Sequence, residues 1–368
     1  MTAEERTWEV VRRAYDERIP TPRRAAPGKT VLVALAVAAV LVAAVASPPG
    51  RAVLNSLREA VGVQKAAPAL LSLPAPGKLM VVSAARGGVW TVAADGSKRY
   101  LGNFDDAQWS PHGLYVVATE RNELVALDPR GNMRWSIVRR GVVWPRWEGT
   151  HVDTRIAYFA RSGLHVVAGD GTLDRMIDAH ASRFPPAWDP ARRHTLAYES
   201  GGAVVLRDVD SGVTLWRRPV QSPGSLVWSG DGKRLAVASR HGVTVLDGNG
   251  RVLRSGGQLG ATIMGAAFRP GTHALALNLR TVVRSQVRLL RTDAGVGSRL
   301  LFAGAGEFGD IAWSPDGKWL LVDWRSANQW LFLQGSRVRA VANIARQFPR
   351  HDDAPPLLHL AGRWCCAS

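Results

Sequence analysis

The chain has 368 residues, of which 46% are hydrophobic and 21% are charged, and this balance excludes an intrinsically disordered chain and a polytopic membrane protein. Its 37 glycines and 21 prolines favour many turns over long helices, and its two cysteines are too few for a disulfide scaffold or a structural zinc cluster. The net charge is +17, but the basic residues are scattered along the chain, so we expect attraction to anionic lipid headgroups or wall polymers rather than binding of nucleic acid.

Residues 1–29 form a charged head that we expect in the cytoplasm. Trp8, Val11 and Tyr15 fall on one face at helical spacing, which predicts one short amphipathic helix. Pro20 ends that helix, because proline cannot continue the backbone hydrogen bonding.

Residues 30–47 contain no charged side chain and consist mostly of Val, Leu and Ala. At about 1.5 Å per residue, a helix of this length reaches roughly 27 Å, enough to cross a thin hydrocarbon layer once. More basic residues precede the run than follow it, which places the N-terminus in the cytoplasm and the remainder of the chain outside. We therefore expect a single transmembrane helix. The alternatives are a signal peptide cleaved after Ala46 and a buried core helix.

Residues 48–78 connect this run to the main domain. The pattern over 50–62 predicts a short juxtamembrane helix, and the stretch over 66–77, rich in Ala and Pro, predicts a linker. The main domain is therefore expected to begin close to residue 79.

A sequence repeat of about forty residues occupies the rest of the chain. Its clearest copy reads IAWSPDGKWLLV and begins at Ile311, and in every copy an apolar strand ends at an aromatic residue. The aromatic positions are Trp109, Trp147, Trp188, Trp228, Phe268 and Trp313. A period of about forty, with several short strands in each unit, is typical of β-propeller blades.

Each unit predicts four strands and the turns between them. A turn of the Ser-Pro-Asp-Gly type follows the aromatic residue, with proline presetting φ and glycine accepting a positive φ. Asp-Gly or Asn-Gly hairpins connect later strands. Because one four-stranded blade has two exposed edges and only a thin core, the units are expected to stack around a ring.

Counting the units predicts an all-β, seven-bladed propeller over residues 79–349, with six blades as the fallback, and a tail over 350–368. Six blades begin with the aromatic motif, and one blade is split between the two ends of the domain. Residues 79–101 supply three of its strands, and we expect the fourth from residues 341–348, where Phe348 would take the aromatic position.

The repeat resembles the TolB-like, WD-like propeller repeat of bacterial envelope proteins over roughly residues 79–348. The copies at Trp109, Trp228 and Trp313 match its Trp-Ser-x-x-Gly pattern, and the other copies depart from it. The combination of anchor and propeller is also similar to uncharacterised single-pass propeller proteins of actinobacteria. The resemblance implies a fold and a location, and it implies no activity, since propellers host binding, scaffolding and enzymatic functions alike.

No residue pattern predicts catalysis, a metal site or a cofactor. The sequence lacks a Gly-x-Ser-x-Gly nucleophile elbow and a His-Glu-x-x-His zinc motif. His112 and His273 fall at turn positions, and His194 lacks a carboxylate partner nearby in the sequence. The acidic run from Asp208 to Gly212 lies where a hairpin turn is required, and it lacks the later acidic ligand of a calcium loop.

Two segments are candidates for a functional site. The first is a loop between two strands whose aromatic, guanidinium and amide groups suit peptide or glycan binding, the alternative being a buried Trp beside a polar loop. Its residues are Trp324, Arg325, Asn328, Gln329 and Trp330. The second is the adjacent pair Cys365 and Cys366, a possible redox or disulfide site. In an oxidising compartment this pair forms a ring, links two chains or stays a thiol pair, and the residues do not decide among these.

We expect a membrane-anchored binding or scaffold module that presents its propeller to a protein or wall-polymer partner in the cell envelope, in an oligomeric state that the sequence leaves open. A signalling variant adds a contact between the helix around Trp8 and a cytoplasmic regulator. The alternative from another class is a hydrolase or lyase that acts on wall sugars or peptides through acidic residues in the central channel. Channel-facing carboxylates with raised pKa values would favour that enzyme, and a channel lined by apolar and basic side chains would count against it.

Overall fold

The computed structural model describes residues 72–83, 88–150, 152–220, 223–240, 242–257, 260–293, 297–348, 358–360 and 364–366. The predicted cytoplasmic head, the predicted transmembrane helix and most of the predicted juxtamembrane segment lie outside these residues. Within the described ranges, no helix is both long enough and apolar enough to cross a membrane.

The described residues fold into seven antiparallel sheets of four strands each, which confirms the prediction of a seven-bladed, all-β propeller. The first blade contains β1 (Leu79–Ser83), β2 (Val89–Val92) and β3 (Lys98–Gly102), and its fourth strand comes from the C-terminal part of the chain. The second blade comprises β4 (Asp106–Trp109), β5 (Val116–Glu120), β6 (Glu123–Leu127) and β7 (Met133–Val138). The third comprises β8 (Val143–Trp147), β9 (Arg155–Ala160), β10 (Gly163–Ala168) and β11 (Arg175–Asp178). The fourth and fifth blades comprise β12 (Ala187–Trp188), β13 (Thr195–Ser200), β14 (Ala203–Asp208), β15 (Thr214–Pro219), β16 (Pro223–Trp228), β17 (Arg234–Ser239), β18 (Gly242–Asp247) and β19 (Val252–Gly257). The sixth and seventh comprise β20 (Thr262–Phe268), β21 (Ala274–Arg280), β22 (Arg284–Arg291), β23 (Ser298–Ala305), β24 (Ile311–Trp313), β25 (Leu320–Trp324), β26 (Gln329–Gln334) and β27 (Arg337–Ala342).

The turn predicted after the aromatic residue is formed as expected in the best-matching copies. In the second blade, the side-chain oxygen of Ser110 accepts the backbone N–H of Tyr115 at 3.0 Å, and Gly113 adopts a φ of +64°. The turns that begin at Ser229 and Ser314 make the same serine bond at 2.9 Å. The side-chain bond and the glycine together fix the return of the chain from the inner strand to the second strand.

Indole N–H groups on the inner strands join the fourth, fifth and seventh blades to the blade before each of them. Trp188 donates to the carbonyl oxygen of Arg146 at 2.7 Å, and Trp313 donates to that of Ala267 at 3.2 Å. Trp228 makes the same bond at 3.3 Å. The acceptor always lies directly before the aromatic residue of the preceding blade, so the repeat spacing itself sets up this contact.

The ring closes through a C-terminal strand in the first blade, as predicted, but the strand is a different one. The closing strand is β28 (Leu358–Leu360), which pairs antiparallel with β1. The residues predicted to close the ring, 341–348, instead end β27 and form the short helix α1 (Ile344–Gln347). The tail predicted over 350–368 is corrected accordingly, because strand pairing of residues 358–360 completes the first blade.

Trp364 takes the aromatic position that the sequence analysis gave to Phe348. Its side chain is 3% exposed and lies edge-on to the ring of Phe332, with 5.8 Å between the ring centroids. It belongs to an apolar core that joins the first and seventh blades through Leu79 and Val341, among others. A buried aromatic therefore lies at the seam of the ring, as at the other blade boundaries.

Replacing Trp364 is expected to weaken this seam. Trp364→Ala should destabilise the propeller by about 3–5 kcal/mol, because it empties a buried aromatic position. Trp364→Phe should cost much less, since the indole N–H of Trp364 has no hydrogen-bond partner among the described residues. Urea unfolding of the purified full chain gives both values. Met133→Ala, on an exposed outer strand, is the control and should change stability by less than about 0.5 kcal/mol. Equal unfolding midpoints for Trp364→Ala and the wild type would contradict this closure.

Candidate functional site

The propeller has two faces that differ in the segments they carry. The face formed by the turns that follow the inner strands, such as residues 110–115, is called the turn face here, and it also carries the Asp-x-x-Gly hairpins such as 247–250. The opposite face carries the loops that precede the inner strands and the hairpin over 325–328.

A groove of about 640 Å³ lies on the turn face between the second and third blades. Its walls combine apolar and aromatic side chains with a similar number of polar and charged ones. The lining residues are Ser110, Pro111, His112, Leu114, Tyr115, Ala126, Arg134, Trp135, Trp147, Thr150, Asp153, Thr154, Ala168, Gly169 and Asp170. Concave sites that bind ligands or partner side chains commonly combine aromatic walls with polar groups that fix orientation.

One wall of the groove exposes apolar surface that the repeat does not require. Leu114 is 61% exposed and Tyr115 is 40% exposed. The ring of Tyr115 stacks on Trp147 with a tilt of 15° and 6.4 Å between the ring centroids. The corresponding turns of the fifth and seventh blades place Lys233 and Lys318 where this blade has Leu114. This exchange of lysine for leucine is a signal visible in the sequence, although the sequence analysis did not single it out.

The facing wall depends on a close approach between an indole and a glycine turn. Trp135 on the outer strand β7 donates its indole N–H to the carbonyl oxygen of Gly169 at 3.1 Å. Gly171 has a φ of +88°, and a Cβ at that position would lie 2.8 Å from the Trp135 ring. Glycine is therefore required for both its backbone conformation and its lack of a side chain.

A partly buried ionic cluster lies beside the groove, between the third and fourth blades. Glu148 is 1% exposed and accepts the backbone N–H groups of Arg155 at 3.0 Å and of His194 at 2.5 Å. The His194 ring contacts the Asp210 carboxylate through Nδ1, and Arg155 bridges Asp210 at 3.1 Å and Asp153 at 2.5 Å. Burial raises the pKa of Glu148, an effect that its hydrogen bonds and the nearby His194 oppose only in part.

The structure thus gives His194 the carboxylate partners that the sequence analysis did not expect. They come from the neighbouring blade and from the next hairpin, so no short-range sequence pattern could indicate them. His273, interpreted from the sequence as a solvated turn residue, likewise contacts Asp231 at 2.9 Å and Asp293 at 2.8 Å. Because the charges in both clusters are paired internally, we interpret them as devices that hold turns in place. The first cluster fixes the turn that contributes Asp153 to the groove.

The opposite face carries a second group of charges, where two inner strands begin. Asp106, at the start of β4, lies 3.5 Å from the Arg146 guanidinium, and Arg325 contacts Asp310 at 3.2 Å and Asp323 at 3.1 Å. Burial raises the pKa of Asp106, the Arg146 charge lowers it, and the negative charge of Asp310 raises it further. Acidic and basic groups are therefore paired where these inner strands begin.

The predicted binding loop over 324–330 is brought together on this same opposite face. Both of its indoles are buried: Trp324 is 2% and Trp330 is 1% exposed, and Trp324 packs edge-on against Phe302 and Phe308. Because buried rings offer no surface to a peptide or glycan, the structure favours the packing alternative for these two side chains.

The remaining residues of that loop are bound to their surroundings in different ways. Asn328 adopts a φ of +53° and accepts the backbone N–H of Ala345 at 2.8 Å, which ties the hairpin to α1. Gln329 is buried, and Arg325 contacts the carboxylates of Asp310 and Asp323. A ligand-binding role for the loop stays a prediction. Of its five residues, only Arg325 and Asn328 are partly exposed.

The cysteine pair lies against Ser110 and Pro111, two residues that line the groove. Cys365 and Cys366 are joined in a vicinal disulfide, which is one of the three states left open by the sequence. Among the described residues, no group of three or more His, Cys, Asp or Glu side chains is arranged to hold a metal ion.

Comparison with known proteins identifies the fold of this chain, but neither a family nor a function. No protein-family profile matches the chain, and no curated protein matches it. Hydrazine synthase of Kuenenia stuttgartiensis is similar in structure, with a TM-score of 0.51 at 15% identity, covering 62% of this chain and 76% of that one. The Cps50 (Swd1) β-propeller domain of Myceliophteria thermophila gives a TM-score of 0.50 at 11% identity, covering 65% and 85%. A chain of a mitotic checkpoint complex gives 0.54 at 13% identity, covering 74% and 93%.

The raised pKa of Asp106 predicts how the stability of the propeller changes with pH. Because the folded chain holds the Asp106 proton to a higher pH than the unfolded chain, whose ordinary value is 3.8, folding stability falls as the pH rises through that interval. Asp106→Asn cannot titrate, so the stability of this variant relative to the wild type should increase over the same interval. Urea midpoints of both proteins across acidic pH measure the difference. The exposed Asp128→Asn, whose carboxylate has a lowered pKa, should change in the opposite direction.

Proposed function

We propose that this chain is a non-catalytic binding module of the cell envelope. In this proposal, residues 30–47 anchor the chain in the membrane once, the N-terminal head is cytoplasmic, and the propeller lies outside and docks a protein partner. The uncharged run and the basic residues that precede it support the anchor and its orientation. The propeller fold and the groove on the turn face support the binding role.

The groove is the observation that carries the binding role. Leu114 and Tyr115 expose apolar surface beside the indoles of Trp135 and Trp147, and Arg134 lies at the same edge. Aromatic and arginine side chains in a concave, partly apolar site are the composition that contributes most at protein interfaces. One neighbour in fold belongs to a mitotic checkpoint complex, an example of a propeller within a protein assembly.

The partner class follows from the same surface. Leu114 and Tyr115 give the groove an exposed apolar wall beside its polar groups, and this combination favours a protein or peptide over a polar polymer. The net charge of +17 supports a second, weaker attraction to anionic wall polymers or headgroups, which salt would screen. The proposal also includes a signalling role, in which the N-terminal head contacts a cytoplasmic regulator.

Site-specific crosslinking tests the docking surface. A chain carrying p-benzoylphenylalanine in place of Tyr115 should crosslink to one protein species in native cells under illumination. The matched control carries the same group in place of Leu253, which is 45% exposed on an outer strand, and should give no such product. Adding Leu114→Asp should reduce the product about tenfold, since it introduces a charge into the apolar wall. Equal products from both positions would contradict the proposal.

The intact mass of the same protein, isolated from washed membranes, is the control for the anchor. A full-length mass supports the anchored form. A mass beginning after Ala46 would replace the anchor with a cleaved signal peptide and would leave the groove proposal intact.

The second candidate function, a hydrolase or lyase of wall sugars or peptides, is favoured by Asp106 alone. Its raised pKa is a property of general acids, and Asp310 supplies a second carboxylate. The pairing of Asp310 with Arg325 and of Asp106 with Arg146 counts against it, since both carboxylates are held by cations.

Activity on purified wall fragments distinguishes the two functions. We expect the full chain to release no soluble product from muropeptides or wall glycans. Release by the wild type that Asp106→Asn lowers at least about a hundredfold would establish the enzyme instead, because general acid catalysis is worth that much. Asp128→Asn, on the turn face, is the control variant.

A further inference from the structure

The cysteine pair begins at the position in the first blade that serine takes in the best-matching repeats. In the seventh blade, the backbone N–H of Ser314, directly after the aromatic residue, donates to Trp319 at 2.8 Å. In the first blade, Cys365 follows Trp364 and exchanges two backbone hydrogen bonds with Lys78, at 2.8 and 2.9 Å. Cys365 and Cys366 therefore stand where the other well-matched blades begin their Ser-x-x-Gly turn.

The disulfide between them lies against the turn of the second blade. The Sγ of Cys365 is 4.0 Å from the carbonyl oxygen of Ser110, and the Sγ of Cys366 is 3.8 Å from that of Pro111. A Cβ at Gly113 would lie 2.7 Å from the Cys366 sulfur, so no free space separates the disulfide from this turn. The pair thus crosses the boundary between the first and second blades.

The turn that the disulfide touches is also a wall of the groove. Ser110, Pro111 and His112 line the groove, and the same turn leads into Leu114 and Tyr115. Its geometry rests on two short-range bonds, from Gly113 N–H to the Ser110 carbonyl at 2.9 Å and from Tyr115 N–H to the Ser110 hydroxyl at 3.0 Å. Any displacement of residues 110–113 therefore moves the apolar wall.

We propose that Cys365–Cys366 is a thiol–disulfide exchange site whose oxidised form holds the groove in its binding shape. This inference rests on the proposed function for the link to binding, but not for the exchange chemistry itself. The reactant is a dithiol. Its thiolate attacks one of the two sulfurs and forms a mixed disulfide, and its second thiol then displaces the cysteine. Both cysteines become thiols, the reactant becomes a disulfide, and two electrons and two protons pass to the protein.

Packing explains why reduction of the disulfide is expected to change the shape of the groove. A covalent bond holds the two sulfurs closer than non-bonded atoms can lie, whereas reduced thiols separate to contact distances of roughly 3.5–4 Å or more. Because Gly113 leaves no space on one side, one thiol must push against the turn or leave its position. Both cysteines are only partly buried, so a dithiol in solution can reach them.

Hydrogen exchange on the full chain in detergent tests the exchange site without any partner. After treatment with dithiothreitol, the amides of Gly113 and Tyr115 should exchange about tenfold faster, since the turn loses its support. The equivalent turn of the fifth blade, with Gly232 and Arg234 bonded to Ser229, is the internal control and should not change. N-ethylmaleimide should label neither cysteine before reduction and both after it.

The variant Cys366→Ser should exchange at the fast rate under all conditions. If this variant does not fold, the chemically reduced wild type still gives the answer. Identical exchange of Gly113 and Tyr115 in oxidised and reduced wild type, or full labelling before reduction, would overturn the proposal. Crosslinking from position 115 should also fall on reduction. Absence of any crosslink even in the oxidised protein would speak against the docking function, while the exchange measurement would remain decisive for the cysteines.

Discussion

A four-stranded blade cannot bury both of its faces alone, so every blade of this propeller depends on the ring being closed. Closure is achieved by a three-residue strand, β28, and by Trp364, which stands in the core between the first and seventh blades. The last described residues of the chain therefore contribute to the stability of the whole ring. The vicinal disulfide directly follows Trp364 and contacts the second blade, so the segment that closes the ring also reaches a turn that lines the groove.

The repeat creates the propeller, and a local departure from the repeat creates its candidate site. Where the consensus turn carries Lys233 or Lys318, the second blade carries Leu114, and Tyr115 follows it. The framework of serine and glycine bonds is unchanged, so this exchange alters the surface without altering the fold. The turn therefore keeps the geometry of its counterparts in other blades while exposing apolar side chains, and the stability of the fold does not require that exposure.

The large positive charge has a structural use that does not depend on any partner. Each outer strand of the seven blades carries at least one arginine, for example Arg99 on β3, Arg134 on β7 and Arg254 on β19. An outer strand presents unpaired backbone groups that could pair with another chain, and charged side chains oppose such pairing. The scattered arginines therefore fit edge protection as well as they fit attraction to anionic polymers.

The sequence by itself determined the fold class, the blade count and the turns after the inner strands, because each of these depends on residues that lie close together and recur with one period. It also determined that a C-terminal strand would enter the first blade. It did not identify β28 as that strand, since a three-residue strand has too little pattern to distinguish it from a loop. Only the tertiary structure decided that Trp364 fills the seventh aromatic position.

The candidate site depended on tertiary structure even more strongly. The indoles of Trp324 and Trp330 look available in a polar loop, but they are buried, because their burial is set by strands that lie on either side of them. Two of the carboxylates near His194 come from another blade, and the groove forms between two blades whose walls are distant in the chain. Unlike the indole bonds between blades, these contacts do not recur with the repeat, and for that physical reason they could be identified only in the folded ring.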